Sequence, residues 1–222
     1  MSQKLRVVLF TVAVTIVFGG LVSGLNALLA DRIALNAQAA RQRVILHLLG
    51  LATPEAAAAL PADQAAARFA AEVRSRTLGP GPDGTTAVCF ERAATTAASG
   101  PALLVFPFAG QGFWDAIRGY VAIDAGSRRI AGIVFTEHAE TPGLGGRISE
   151  PGFAARFQGK PLDQPAPDGR RLRLVSEGSA AQPTEIDGLT GASETTRAVE
   201  RIINRTADLI IALLANPGGP QP

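Results

Sequence analysis

The sequence predicts an α+β protein: a single N-terminal transmembrane helix followed by one extracytoplasmic α+β domain. Three observations lead there. Residues 7–30 run for 24 positions without an ionisable side chain. Short apolar runs bounded by turn residues fill the middle of the chain, the signature of half-buried antiparallel strands. Residues 193–215 then repeat apolar side chains at helical spacing.

Composition narrows the function classes before any motif is read. Lys and Arg number 21 against 19 Asp and Glu, a net charge of +2 over 222 residues, so no basic surplus points to nucleic acid. The chain is 47% hydrophobic and 18% charged, too apolar for a disordered acidic protein. One Cys closes no intramolecular disulfide, and His47 and His138 alone do not assemble a structural zinc site. No metal site is assigned, and any redox chemistry must come from a cofactor.

The apolar stretch 7–30 is long enough, at ~1.5 Å per residue, to span a hydrocarbon core of ~30 Å. In lipid its backbone polar groups must pair within the segment, which requires a helix. Lys4 and Arg6 precede it without an acidic residue. That bias places the N-terminus in the cytoplasm and the remaining chain outside it. A cleaved leader is the rival reading, but its apolar region usually spans only ~7–15 residues. The small-x-small triplet Ala37-Gln38-Ala39 is also separated from the apolar run by Asp31 and Arg32. Gly20 and Gly24 form a GxxxG, either a seat for a neighbouring helix or ordinary membrane-helix glycine.

The expected organisation is a cytoplasmic tip and anchor at 1–30, a helical stalk and lead-in at 31–77, a domain at 78–216 and a tail at 217–222. Ile33, Leu35, Val44, Ile45, Leu48 and Leu49 continue a helix that Gly50 ends. Thr53-Pro54 reads as a cap with Pro at the first helical position, and residues 63–76 as a second short helix. Residues 78–84 are a Pro/Gly loop. Strands are expected at 88–90, 102–106, 117–123 and 130–135, the last two joined by a turn at Asp124-Ala125-Gly126-Ser127. A helix follows at 151–157 and a short strand at 172–175. The final helix spans 193–215 and stops at 216–219.

Two segments offer chemistry. Residues 137–146, EHAETPGLGG, follow a strand and carry three Gly and one Pro in six positions, a loop whose backbone approaches a flat or anionic ligand closely. An ordinary turn explains the same residues, and Glu137, His138 and Glu140 read as a solvated loop mouth. Residues 187–196, DGLTGASETT, place hydroxyls and small residues at a helix start. There, unpaired amides and the helix dipole favour a phosphate. The alternative is plain N-capping by Thr190 or Ser193. No Walker-type loop and no nucleophile elbow is present.

The two segments together, HAETPGLGGRI at 138–148 and DGLTGASETT at 187–196, with FAARFQGK at 153–160 between them, resemble a known family. It is that of the membrane-anchored FMN-binding subunits of Rnf-type and sodium-pumping NADH:quinone reductase complexes. The resemblance implies an FMN-binding domain with FMN held covalently through its phosphate on Thr195. It implies cofactor-binding roles for Thr190, Gly191, Ala192, Ser193 and Thr196 on one segment and for Thr141, Pro142, Gly143, Leu144 and Gly145 on the other. The fourth motif position, often Thr in the family, is Ser193 here, which keeps the hydroxyl. Glu194 beside a phosphate implies that Thr195 points into the site and Glu194 to water, with the amides of Thr196 and Arg197 facing the phosphate. Trp114 and Tyr120 are either ring neighbours or core residues.

The resemblance further implies a non-catalytic electron carrier in the bacterial inner membrane, with its main domain periplasmic. Its partners would be the other membrane and redox subunits of one complex, and a separate flavin transferase would use FAD and Mg²⁺. Compact length favours the G subunit of the Rnf-type complex, with the C subunit of the sodium-pumping reductase as the alternative. A non-redox anchored binding module and a flavin domain serving another membrane reductase are the remaining readings.

Overall fold

The computed structural model describes residues 2–81, 84–93, 102–166 and 168–215. Two positions of the Pro/Gly loop, Pro82 and Asp83, lie outside these residues, as do the helix-stop segment 216–219 and the tail. The chain forms two compact units, Met1–Arg41 and Gln42–Pro222. The architecture is α+β, with one long apolar N-terminal helix followed by a β-sheet domain.

The first unit is most of helix α1 (Gln3–Leu48). Its most apolar window has a mean hydropathy of 2.3 and is long enough to cross a membrane. Its side chains, from Val7 through Leu28, lie exposed. A Cβ added at Gly20 or Gly24 meets nothing within 4 Å.

The second unit is built on a five-stranded antiparallel sheet in the order β1 (Val73–Leu78), β2 (Ala87–Arg92), β3 (Leu103–Gln111), β4 (Ala116–Asp124) and β5 (Ile130–Glu137). Alternation along the strands splits the core in two. Phe106 and Phe108 of β3 and Ile117, Val121 and Ile123 of β4 face one side, where they meet α5 (Ser193–Ala215) and α4 (Pro151–Ala155). Val105 and Ala122 face the other, against Ile45, Leu46, Leu48 and Leu49 at the end of α1. On that side Phe69 of α3 (Ala62–Glu72) sets its ring edge-to-face on Phe90, 6.0 Å between centroids. Burying each such side chain is worth about 1.5–3 kcal/mol, so the last turns of α1 are part of the domain core.

Sequence and structure differ in three places. Residues 63–76, expected as helix, stop being helical at Glu72; Val73–Leu78 becomes the edge strand β1, paired along its whole length with β2. The sheet therefore begins inside the segment expected to be a helical lead-in. Ala-rich helix propensity carries only to Glu72, and Val73, Ser75 and Thr77 gain more from ladder hydrogen bonds. Strand β7 (Glu185–Asp187), unforeseen, pairs in parallel with β6 (Arg173–Val175). Strand β3 runs through Pro107, beyond the last residue that pairs with β2, so the missing amide costs no ladder bond there. The hairpin turn forms as expected: Asp124 Oδ1 accepts from the amide of Gly126 at 2.9 Å.

A small α2 (Pro54–Ala59) is capped by Thr53, whose Oγ1 accepts from the amide of Ala56 at 3.2 Å. On the site side of the sheet, Gly110 lets α5 approach β3. A Cβ there would lie 2.5 Å from Ile202 Cγ1, so only glycine admits this separation.

Candidate functional site

The two glycine-bearing segments meet. Residues 138–144 leave the end of β5 and enter a 3₁₀ turn at Gly145–Ser149, while residues 188–192 lead from β7 into α5. Leu144 and Gly191 face each other across the gap: a Cβ on Gly191, whose φ is +79°, would lie 3.3 Å from Leu144 Cδ2. Gly145 lies against Thr195, where a Cβ would overlap the hydroxyl oxygen and sit 3.0 Å from Glu140 Oε2.

At the centre is Thr195, 4% exposed, whose hydroxyl donates to Glu140 Oε2 at 2.5 Å. Glu140 is equally buried. Its Oε1 accepts from the amides of Phe113 at 2.8 Å and Trp114 at 3.2 Å. Gly112 leaves room for it, since a Cβ there would come 2.5 Å from the same oxygen. The expectation of a solvated loop mouth is thus corrected at Glu140, which turns inward because three donors offset its burial. Glu137 instead pairs with Arg118 on the surface, 2.7 Å. His138 is half-buried, and its Nδ1 has no hydrogen-bond partner among the described residues. No three His, Cys, Asp or Glu side chains group around a metal position among the described residues.

The start of α5 also differs in detail from expectation. Neither Thr190 nor Ser193 is the cap. The carbonyl of Ala192 accepts from Thr196 N at 2.9 Å and opens the helix, so Ala192 occupies the cap position and offers no side-chain acceptor. Among the described residues, the first-turn amides without a partner are those of Ser193, Glu194 and Thr195, not Thr196 and Arg197. Thr196 faces the interior, its Oγ1 accepting from Leu189 N at 3.2 Å. Glu194 points outward, as expected, and pairs with Arg197 at 2.5 Å. Thr190, Gly191 and Ser193 are exposed and Ala192 is buried; Thr141, Pro142, Gly143 and Leu144 are exposed and Gly145 is buried.

Residues 187–190 are clamped from behind by the third matching segment. Arg156 Nη1 donates to the carbonyls of Asp187 at 3.0 Å and Gly188 at 2.6 Å, and its Nη2 to Glu177 Oε1 at 2.7 Å. Glu177 Oε2 accepts from the amide of Thr190 at 3.2 Å. The Arg156 hydrogen bond, with those from Thr190, lowers the Glu177 carboxyl to about 2. Lys160 Nζ donates to the carbonyl of Glu185 at 2.6 Å, while Phe153 and Phe157 pack in the core.

Beside this pair of loops stand exposed apolar side chains. Trp114 is 64% exposed, not a core residue, and stacks edge-to-face on Phe113 at 5.0 Å. Its Nε1 donates to Thr141 Oγ1 at 3.1 Å, and Leu144 on the same loop is 46% exposed. Tyr120 packs instead against the α1 side of the sheet. The residues present fit an FMN group in kind: uncapped helix amides and hydroxyls for a phosphate, an exposed aromatic and aliphatic rim for a planar ring.

Fold and site together define a class: an α+β domain behind an apolar helix, presenting a threonine in the first turn of its last helix to a glycine-rich loop. Residues 112–208 match the family model of the FMN-binding domain. The chain is similar to the C subunit of the Na⁺-translocating NADH-quinone reductase of Yersinia pestis, 36% identical over 104 residues, 46% of this chain and 38% of that protein. The C subunit of the same reductase from Pseudomonas aeruginosa is 33% identical over 104 residues, 46% and 40% of the two chains. The chain thus spans well under half the length of these relatives. Crystal structures share its fold. Shewanella oneidensis NqrC has a TM-score of 0.57 at 23% identity, covering 73% of this chain and 88% of that one. The corresponding C subunit of Parabacteroides distasonis has a TM-score of 0.66 at 19% identity, covering 86% and 98%.

Proposed function

We propose that this chain is a membrane-anchored FMN-carrying electron-transfer subunit, with the FMN phosphate esterified to Thr195, in a redox complex of the Na⁺-translocating NADH-quinone reductase type. The observation that carries the reading is the convergence of the 138–146 and 187–196 segments on Thr195. The similarity of residues 112–208 to FMN-binding domains supports the choice of ligand.

The flavin supplies the redox chemistry. The chain supplies attachment, orientation and a fixed position. Thr195 holds the phosphate; the first-turn amides of α5 offset its charge by roughly 0.3–1 kcal/mol. Thr190, Gly191, Ala192 and Ser193 frame the phosphate end, and Arg156 and Glu177 keep that frame from shifting. Thr141, Pro142, Gly143, Leu144 and Gly145 border the ring, with Trp114 and Phe113 beside them. Residues 7–30 tether the domain, with the N-terminus in the cytoplasm and the domain in the periplasm of a bacterial inner membrane. A separate transferase installs the flavin.

The Rnf-type G subunit, expected first from the sequence, becomes the second reading. Its support is the segment ETPGLGGRI at 140–148, which resembles both subunits. Similarity to the C subunits favours the quinone-reductase reading. Recovery from native membranes with a quinone-reducing flavoprotein supports the first, and recovery with ferredoxin-type iron–sulfur subunits supports the second.

The test of attachment is a denaturing gel. Protein coexpressed with a flavin transferase shows a fluorescent band that Thr195→Ala abolishes, and intact mass shows an FMN-sized increment on the peptide around Thr195. A non-redox anchored module gives no fluorescent band in either sample, and that result overturns the proposal.

A further inference from the structure

We propose that Glu140 and residues 141–146 form a latch over Thr195, closed before flavin attachment and released by it. The inference rests on the flavin reading above and adds a positioning role for Glu140. Thr195, which carries the acceptor hydroxyl, is 4% exposed, so a second enzyme cannot bring a dinucleotide to it in this arrangement. What covers it is specific. Its proton is held by Glu140 Oε2 at 2.5 Å, and Gly145 packs where any larger residue would overlap it. Glu140 is held in turn by the amides of Phe113 and Trp114, and the Trp114 indole ties down Thr141 at 3.1 Å. Leu144 faces Gly191 on the other side, where a Cβ on that glycine would lie 3.3 Å from Leu144 Cδ2.

Attachment changes the chemistry of that contact. The Thr195 Oγ–phosphorus bond forms, the anhydride P–O bond of a flavin adenine dinucleotide breaks, AMP leaves, and the hydroxyl proton is released to solvent. The oxygen that remains is an ester oxygen without a hydrogen, so it no longer donates to Glu140. A phosphodiester charge now stands beside a carboxylate, which repels it. The latch bond therefore forms only on unmodified Thr195, and the loop carrying Leu144 is free to repack once the flavin is in place.

The experiment compares the full-length protein in detergent, unmodified and after treatment with transferase, FAD and Mg²⁺, each state verified by intact mass. The amides of Phe113 and Trp114 and those of Thr141 and residues 143–146 exchange with deuterium at least about tenfold faster in the modified protein. Glu140→Gln, whose carbonyl oxygen keeps the Phe113 and Trp114 amides while an NH₂ donor replaces the oxygen that accepts the Thr195 proton, takes up flavin about tenfold faster than the natural sequence when opening precedes attachment. Equal exchange in the two states overturns the latch, as does uptake by Glu140→Gln no faster than normal while the buried Cys89 stays unreactive. If Cys89 becomes reactive in that variant, its fold is lost and the exchange comparison on the natural sequence decides alone. A natural protein that accepts no flavin from a competent transferase overturns the flavin reading and the latch with it. A flavinylated protein with unchanged exchange overturns only the latch.

Discussion

Gly145 is the residue on which the site's closure turns. Its neighbours are a hydroxyl and a carboxylate that already hold each other, so an added methyl group displaces both. Gly145→Ala is expected to lose about 1–3 kcal/mol of stability, the usual cost of overpacking a closed interior, measured as a lower urea midpoint with an unchanged slope. Glu177 makes a second residue-scale prediction. Its carboxyl is lowered from an ordinary 4.5 to about 2 in the folded protein, first by the Arg156 hydrogen bond. A depressed carboxyl stabilises the fold fully above its unfolded value and ceases to do so once pH falls through the folded one. Stability should therefore drop as pH falls from about 4.5 to about 2, and Arg156→Gln should shrink that drop in acid-unfolding curves. Cys89 sits at the opposite extreme: burial pushes its thiol up to about 11, which makes it an inert reporter of unfolding.

At the scale of elements, the helix start and the glycine-rich loop were legible because each is written in consecutive residues. Ser193–Ala215 carries its apolar face in a regular repeat, and Asp124-Ala125-Gly126-Ser127 announces its own turn. The edge strand β1 was not legible. Val-Arg-Ser-Arg-Thr-Leu follows an alanine-rich helix without a break, and only the partner strand β2 makes it extended. The inward turn of Glu140 was equally hidden. In the sequence it stands between exposed-looking neighbours, and its three donors come from residues 113, 114 and 195. Thr195 and Thr196 are adjacent threonines whose different roles follow from where α5 begins. The carbonyl of Ala192 starts the helix and sends one hydroxyl to Glu140 and the other to Leu189 N.

For the whole molecule, the boundary between the two compact units falls inside a single helix. The second compact unit starts at Gln42, and Ile45, Leu46, Leu48 and Leu49 complete one face of the sheet. Removing residues 1–41 is expected to leave a cooperatively folding domain. Removing residues 1–49 strips four buried aliphatic side chains and the carbonyl of Leu49, which accepts two hydrogen bonds from Arg92. Calorimetry on the two truncations checks this: a sharp transition for the first and a strongly lowered or absent one for the second. A sharp transition at the same temperature in both would show that the helix end contributes nothing to the domain.

The amino-acid order by itself determined the apolar helix, the antiparallel strands at the centre, the amphipathic last helix and the two glycine-bearing segments of the candidate site. Those properties depend on neighbours within a turn or a strand length, which periodicity and local backbone preference encode directly. Tertiary structure alone decided that β1 joins the sheet, that α1 ends as part of the core, and that Glu140 closes over Thr195. Each of these is a contact between residues far apart in the chain, and its energy exists only once the sheet has brought the two ends together.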